Sequence, residues 1–207
     1  MSDQANQQLQ RGIEALGLLL DQQQQGQLMG HLQLLKKWNT AYNLTAITDV
    51  PTMITDHTLD SLAVVPYVTA ASILDMGAGG GFPGIPLAIA MPDTAFTLLD
   101  SNGKKTRFLT QVAHELGLKN VTVVHARVES YREDGCFDAI ISRAVGDMAQ
   151  MIKGSRHLLK TDGHFYWMKG QLPSSELEQL DRPYSIQALE VPGQAKERHL
   201  ITVDNEG

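Results

Sequence analysis

From residue 70 onward, short apolar runs alternate with amphipathic stretches. The runs predict strands near 72–76, 95–100, 121–125, 137–142, 163–169, 184–191 and 197–203; the stretches between them predict helices near 84–90, 104–116, 147–159 and 174–180. Strand and helix taking turns in this way implies a parallel sheet covered on both faces. The last two runs are separated by Pro192-Gly193-Gln194 and no helix, so they should form a hairpin that sets one antiparallel strand at the sheet edge. Before residue 70 the pattern is helical. Leu28, Leu32, Leu35, Trp38 and Tyr42 recur at three- and four-residue intervals, Asp21 with Gln24 resembles a capping box, and Gln22 to Gln25 reads as a polar helix face. Pro51 opens a further helix that carries His57, Asp60 and Ser61 on one face, either as a structural His-Asp pair or as a face that closes over a ligand. The expected organisation is an N-terminal helical appendage over residues 1–70 and an α/β domain over 71–207.

Composition narrows this picture. A chain of 207 residues with 43% apolar content can bury one full core. No stretch approaches the length of an apolar membrane span, and the polar Met1 to Gln10 does not read as a signal peptide. The single cysteine, Cys136, excludes an internal disulfide and reads as a small core residue, so a cytoplasmic location is expected. Seven scattered histidines show no pair at ligand spacing, and no metal site is expected. The net charge of -6 argues against a broad nucleic-acid surface, but the acid excess lies at the two ends: residues 1–70 carry 3 basic and 6 acidic groups, 71–160 carry 10 and 9, and 161–207 carry 4 and 8.

The chemistry concentrates in Asp75-Met76-Gly77-Ala78-Gly79-Gly80-Gly81-Phe82-Pro83-Gly84 and in Asp100, at the end of the following apolar run. Glycines directly after a strand let backbone approach a ligand closely, and an acid about twenty residues on can accept both hydroxyls of a ribose. Gly79 to Gly84 formally reads G-x-G-x-x-G, the dinucleotide fingerprint, which keeps a nicotinamide-dependent oxidoreductase in view. Yet the glycine series begins at Gly77, two residues after Asp75, and Pro83 and Pro86 bracket Gly84, so the loop is broader than a pyrophosphate turn. Asp75 would repel a pyrophosphate and attract a cationic amino group or sulfonium. These features favour S-adenosylmethionine, and a terminal hairpin would separate a methyltransferase sheet from a dehydrogenase sheet. Lys104, Lys105 and Arg107 cluster just beyond Asp100, in a first helical turn where the dipole disfavours cations by a few tenths of a kcal/mol each, which points to a functional reason. Arg143 follows the apolar Ala139-Ile140-Ile141, and a charge at the inner end of a buried strand is rarely idle.

Further residues extend the pattern: Trp38-Asn39, Tyr42-Asn43-Leu44-Thr45, His57-x-x-Asp60-Ser61, Leu99-Asp100-Ser101 with Lys104 and Arg107-Phe108-Leu109, Arg127-Val128-Glu129, Phe137-Asp138 leading to Ser142-Arg143-Ala144, Lys169-Gly170 and Glu197-Arg198-His199. In this order the chain resembles the small-subunit (16S) ribosomal RNA guanine-N7 methyltransferase family, also called the glucose-inhibited division protein B family, from Lys37 to Val203. It departs at Ala78, where many members have threonine. The resemblance implies a Rossmann-like class I S-adenosylmethionine-dependent methyltransferase: a seven-stranded, mostly parallel sheet with a terminal antiparallel hairpin. It further implies that Gly77, Gly79 and Phe82 line the cofactor, that Val128 and Glu129 border its adenine, that Asp75 faces its methionine end and Asp100 its ribose, and that Arg143 completes the site. Lys104, Lys105, Arg107 and Lys169 are then the expected RNA-facing cations, and the expected substrate is a guanine in a decoding-region hairpin loop of 16S ribosomal RNA, met within the small subunit or an assembly intermediate.

What the sequence lacks agrees with N7 as acceptor. Exocyclic amine methylation commonly uses an Asn/Asp-Pro-Pro-aromatic loop after the fourth strand, where this chain reads Ser142-Arg143-Ala144-Val145; pyrimidine C5 methylation needs a cysteine nucleophile, and Cys136 precedes that strand, at the opposite pole. Guanine N7 offers an in-plane lone pair and loses no proton, so alignment is the main task, and alignment can supply roughly 7–11 kcal/mol. A ribosome-binding module that senses the cofactor without catalysis is the rival outside the enzymes.

Overall fold

The computed structural model describes residues 2–133, 136–143 and 146–205. Seven strands, β1 (Ser72–Met76), β2 (Ala95–Asp100), β3 (Val121–His125), β4 (Phe137–Arg143), β5 (Leu159–Lys169), β6 (Tyr184–Ala188) and β7 (His199–Asp204), form one sheet in the order β3-β2-β1-β4-β5-β7-β6. The first five are parallel. Successive connections run outward from β1 on one side and from β4 on the other, which opens a crevice at the carboxyl ends of these two strands, where ligands of such sheets collect. Register brings Asp75 level with Leu98 of β2 and Ile141 of β4.

The terminal strands differ from expectation in one respect. β7 is antiparallel, but it lies inside the sheet, paired with β5 from His164↔Asp204 to Lys169↔His199, and β6 forms the edge. Burial explains the order: Leu200, Ile201 and Val203 of β7 are sequestered, whereas all five residues of β6 are exposed, so the apolar strand takes the inner position. β6 also stops at Ala188 because Leu189 and Val191 turn inward to join the core. Residues 189–198 therefore make a broad connection in place of a tight hairpin loop.

Helices cover both faces. α5 (Gly84–Ala90) and α6 (Gly103–Glu115) lie on one; α7 (Met148–Ser155) and the short α8 (Ser174–Leu177) contribute to the apolar cluster of the other. The expected helix over 147–159 ends at Ser155, since residues 156–158 tighten into a 3-10 turn and Leu159 already pairs with Phe137. The N-terminal helices pack on the α5/α6 face. In α2 (Gln22–Tyr42) the expected capping box is formed: the Asp21 carboxylate accepts from the Gln24 amide at 2.8 Å and Gln24 returns the contact at 2.9 Å. Leu28, Leu32 and Leu35 are wholly buried, each contributing about 1.5–3 kcal/mol, and they share one continuous core with α1 (Asp3–Ala15), α5, α6 and the sheet. Residues 3–68 thus have no core separate from that of the α/β layers. α3 (Val50–Met53), a π-helical turn (Ile54–Leu59) and α4 (Asp60–Leu62) run as one segment against α5, and a π turn of this kind shifts which side chains face inward.

Candidate active site

β1 ends in a glycine loop whose geometry needs glycine. Gly77, Gly79 and Gly81 have φ of 75°, 58° and 90°, and a Cβ on Gly81 would come within 2.7 Å of Ile85 and 3.0 Å of His31. The loop is stitched to the end of β2. Gly77 and Ala78 amides donate to the Leu99 carbonyl at 2.8 and 3.1 Å, the Gly79 amide donates to Asp100 Oδ2 at 3.0 Å, and the Asn102 amide donates to Asp100 Oδ1 at 2.8 Å. Asp100 is thereby locked in one rotamer, with a lone pair of each oxygen still uncommitted to these amides.

Beside it lies an open cleft of about 300 Å³, walled by Gly77, Asp100, Val128, Glu129 and Met151, with Lys105 at its rim. Val128 and Met151 offer apolar faces, Asp100 a fixed acceptor, Gly77 close backbone approach. This set suits an adenosine: apolar walls for the base and a carboxylate for the ribose. Four of the expected cofactor residues, Gly77, Asp100, Val128 and Glu129, meet in this cleft. The other four lie around it. Gly79 holds Asp100, while Asp75, Phe82 and Arg143 belong to a second, polar cluster behind the loop.

Asp75 does not stand open to the cleft. It is wholly buried; Oδ2 accepts from the Gly84 amide at 2.8 Å and Oδ1 has no partner. Burial pushes its pKa up to about 7, a rise that the Gly84 amide and then Arg143 partly oppose. A buried carboxylate oxygen without a partner fits the cationic amino end expected of the cofactor. Phe82 is a sandwich filling, its ring 4.6 Å from each of the His31 and His57 rings, with the Arg143 guanidinium 5.1 Å from its centre. Both histidines are held neutral, at about 4, mainly by burial. His31, from α2, donates Nε2–H to the Gly80 carbonyl at 2.8 Å, so an N-terminal helix grips the glycine loop directly. Arg143 Nη2 lies 3.2 Å from His57 Nδ1, which also faces the Asp56 carbonyl at 3.1 Å, and the other ring nitrogen, Nε2, lies 2.7 Å from Thr45 Oγ1.

Arg143 itself is fixed by the N-terminal segment. Nη1 donates to Asp60 Oδ2 and to the Asp56 carbonyl, both at 3.1 Å, and Arg198, just before β7, grips the same carboxylate with two bonds of 2.7 and 2.8 Å. Asp60 is 1% exposed and serves two guanidinium groups. Gln194 and Lys196, from the connection before β7, reach Asp56 at 3.1 and 3.4 Å. The sequence left Asp60 between a structural pair with His57 and a face over a ligand, and gave His31 and Arg198 no role; the available signal was an acid set between Leu59 and Leu62 in an N-terminal helix.

The expected RNA-facing cations separate. Lys104 and Arg107 are exposed. Lys105 turns toward the cleft, 3.8 Å from Asp100 Oδ2. Lys169 lies apart from these: its side chain is only 15% exposed and bonds Glu176, at 3.0 and 3.2 Å, which also accepts from the Met148 amide. It braces α7 and α8 rather than presenting a free charge. Cys136 is half-buried, not core, at the opposite end of β4; burial and Glu133 push its thiol up to about 11. Ala144 and Val145, part of the segment expected to lack an amine-methylating loop, lie outside the described residues. No helix among the described residues is long and apolar enough to cross a membrane.

Comparison with known proteins agrees with this architecture. A protein from Marinobacter nauticus, ribosomal RNA small subunit methyltransferase G, is 49% identical over 199 residues, covering 95% of this chain and 93% of its own. The protein of the same description from Coxiella burnetii is 46% identical over 197 residues, covering 95% and 97%. Among solved structures, an S-adenosylmethionine-dependent methyltransferase from Aquifex aeolicus superposes with a TM-score of 0.58 at 15% identity, over 74% of this chain and 92% of that one, a likeness of fold. The family described as rRNA small subunit methyltransferase G matches residues 24–201, and the chain, with its glycine loop, Asp100 cleft and Arg143 cluster inside that span, belongs to this family.

Proposed function

We propose that this enzyme transfers a methyl group from S-adenosylmethionine to N7 of a guanine in the decoding-region hairpin loop of 16S ribosomal RNA, acting in the cytoplasm on the small subunit or an assembly intermediate. The observation that carries the cofactor site is the fixed carboxylate of Asp100 at the wall of a cleft floored by Gly77. Bound S-adenosylmethionine supplies an electrophilic methyl group. Asp100 would hold the ribose hydroxyls, Val128 and Glu129 would border the adenine, and the carboxylate of Asp75, beneath the glycine loop, would favour the cationic amino end through its charge. Lys105 at the rim balances the charge of Asp100.

The protein's remaining work is to place the guanine. Arginine stays protonated, so Arg143 is no general base, and N7 surrenders no proton. Held by Asp60 and His57, its planar guanidinium serves to orient and to exclude water at the end of β4. His31 and His57 are neutral and already bonded, and take no proton from the acceptor. Methyl mapping tests the proposal: small subunits from cells lacking the protein, incubated with the purified enzyme and labelled S-adenosylmethionine, acquire one label at a guanine N7, seen as chain cleavage after reduction and aniline treatment. Label on another atom, or none, refutes it.

A further inference from the structure

α2 ends at Tyr42, one of the few large apolar side chains left in solvent among the described residues, at 38% exposure. One side of it is braced. Trp38, a turn earlier, lies 5.2 Å away between ring centres at 30°, and Trp38 rests in turn on Phe108 of α6 at 5.6 Å. The Lys104 ammonium lies 6.0 Å from the Tyr42 ring centre. Arg107, one turn further along α6, is exposed with its Nε anchored on the Gly103 carbonyl at 3.0 Å.

The hook after Tyr42 is rigid and touches the site. Asn43 takes the left-handed conformation with φ 49°, and the Asn39 side chain brackets Thr45 with two hydrogen bonds of 2.9 and 3.0 Å. The Leu44 carbonyl lies 3.7 Å from where a Cβ on Gly80 would stand. Tyr42 is therefore held at the border between the glycine loop and the first turn of α6, whose Lys105 rims the cofactor cleft.

An exposed ring backed by a second ring and flanked by a solvated cation, with a further exposed cation a turn along α6, is the arrangement by which proteins hold unpaired nucleotides: the base stacks and the phosphate meets the charge. A protein partner would call for an apolar surround, and here the exposed side of the ring is bordered by Asn43 and Lys104. The chain carries a net charge of -6, so this local cationic rim is where a polyanion can approach. We propose that Tyr42 is the platform on which an unpaired base of the substrate loop stacks at the mouth of the site, with Lys104 moving from the ring edge to an adjacent phosphate. This rests on the reading of the chain as an enzyme that methylates ribosomal RNA.

The test is steady-state methylation of purified small subunits by the wild type and by Tyr42→Ala, Tyr42→Phe and Tyr42→Leu, with calorimetric titration of S-adenosylmethionine for each. Loss of one stacked base raises the KM for the particle about 10- to 100-fold in Tyr42→Ala. Tyr42→Phe, which keeps the ring, returns to within about threefold of wild type, whereas Tyr42→Leu, apolar but without a π face, does not. Cofactor affinity and thermal midpoint stay those of the wild type in all three, which separates lost stacking from a damaged fold. Lys104→Gln raises KM less in the Tyr42→Ala background than in the wild type, as coupled contacts do. Equal KM in Tyr42→Ala and wild type overturns the proposal, and so does a Tyr42→Phe as impaired as Tyr42→Ala. A wild type that labels no particle at all refutes the broader reading first, and this one with it.

Discussion

Asp75 carries a penalty that an isosteric substitution should release. Its carboxylate is sealed beneath the glycine loop, with one oxygen on the Gly84 amide and the other without a partner. Burial raises its pKa from the ordinary 3.8 to about 7. Between those values the folded protein keeps a proton that the unfolded chain has lost, so stability falls as pH rises through this window and is level above it. At 1.36 kcal/mol per pKa unit the full interval is worth ~4 kcal/mol, and about 3 kcal/mol of it falls between pH 4.5 and 8. Asp75→Asn keeps the shape and the acceptor for Gly84 but cannot ionise. It adds a buried amide N–H, which costs about 1–3 kcal/mol at every pH and cancels in a comparison across pH. Urea unfolding of both proteins at pH 4.5, 6 and 8 reads the effect: the stability of the variant relative to wild type climbs by about 3 kcal/mol from the lowest pH to the highest, roughly 1 M in midpoint at ordinary m values. Two stability curves that run parallel would refute the reasoning. The same variant binds S-adenosylmethionine more weakly, because the negative charge beneath its amino end is gone.

Asp60→Ala strands two guanidinium groups around a buried vacancy, and a loss of about 3–5 kcal/mol in urea unfolding is expected, against less than 1 kcal/mol if the pairs contribute nothing. Asp100→Ala should weaken S-adenosylmethionine binding about 10- to 100-fold in calorimetric titration, through hydrogen bonds to a charged acceptor worth roughly 1.5–3 kcal/mol each. Arg143→Lys keeps the charge without the plane and should lower turnover more than cofactor affinity; equal losses would assign the residue to the cofactor instead. His31 and His57 sit at about 4, below the ordinary 6.5, so the stability they contribute is complete above pH 6.5 and is lost as pH falls toward 4. A His31→Gln, His57→Gln variant should therefore lose less in thermal midpoint over that interval than wild type.

What could be read from the chain was what is local. β1, β2 and β3 begin and end where their apolar runs do, because glycine, proline or asparagine punctuates them, and the capping box of α2 is a four-residue signal. Gly77 and Asp100 announce a nucleoside cleft because each residue type is needed for a backbone or acceptor reason at its own position. The grip on Arg143 was not legible. Asp60 and Arg198 stand 138 positions apart, and neither has a neighbour that betrays the other. Lys169 shows the same limit: its charge is visible in the sequence, but its pairing with the carboxylate of Glu176 depends on how α8 folds back. The inner place of β7 follows from comparing the burial of two strands, a tertiary competition that periodicity within either strand does not express.

The placing of β7 between β5 and β6 also orders events in a growing polypeptide. β6 is made first, yet among the described residues its only ladder partner is the strand that follows it. Until β7 emerges, the long outer edge of β5 is bare and β6 has nowhere to lie, so a nascent chain carries an open, adhesive border.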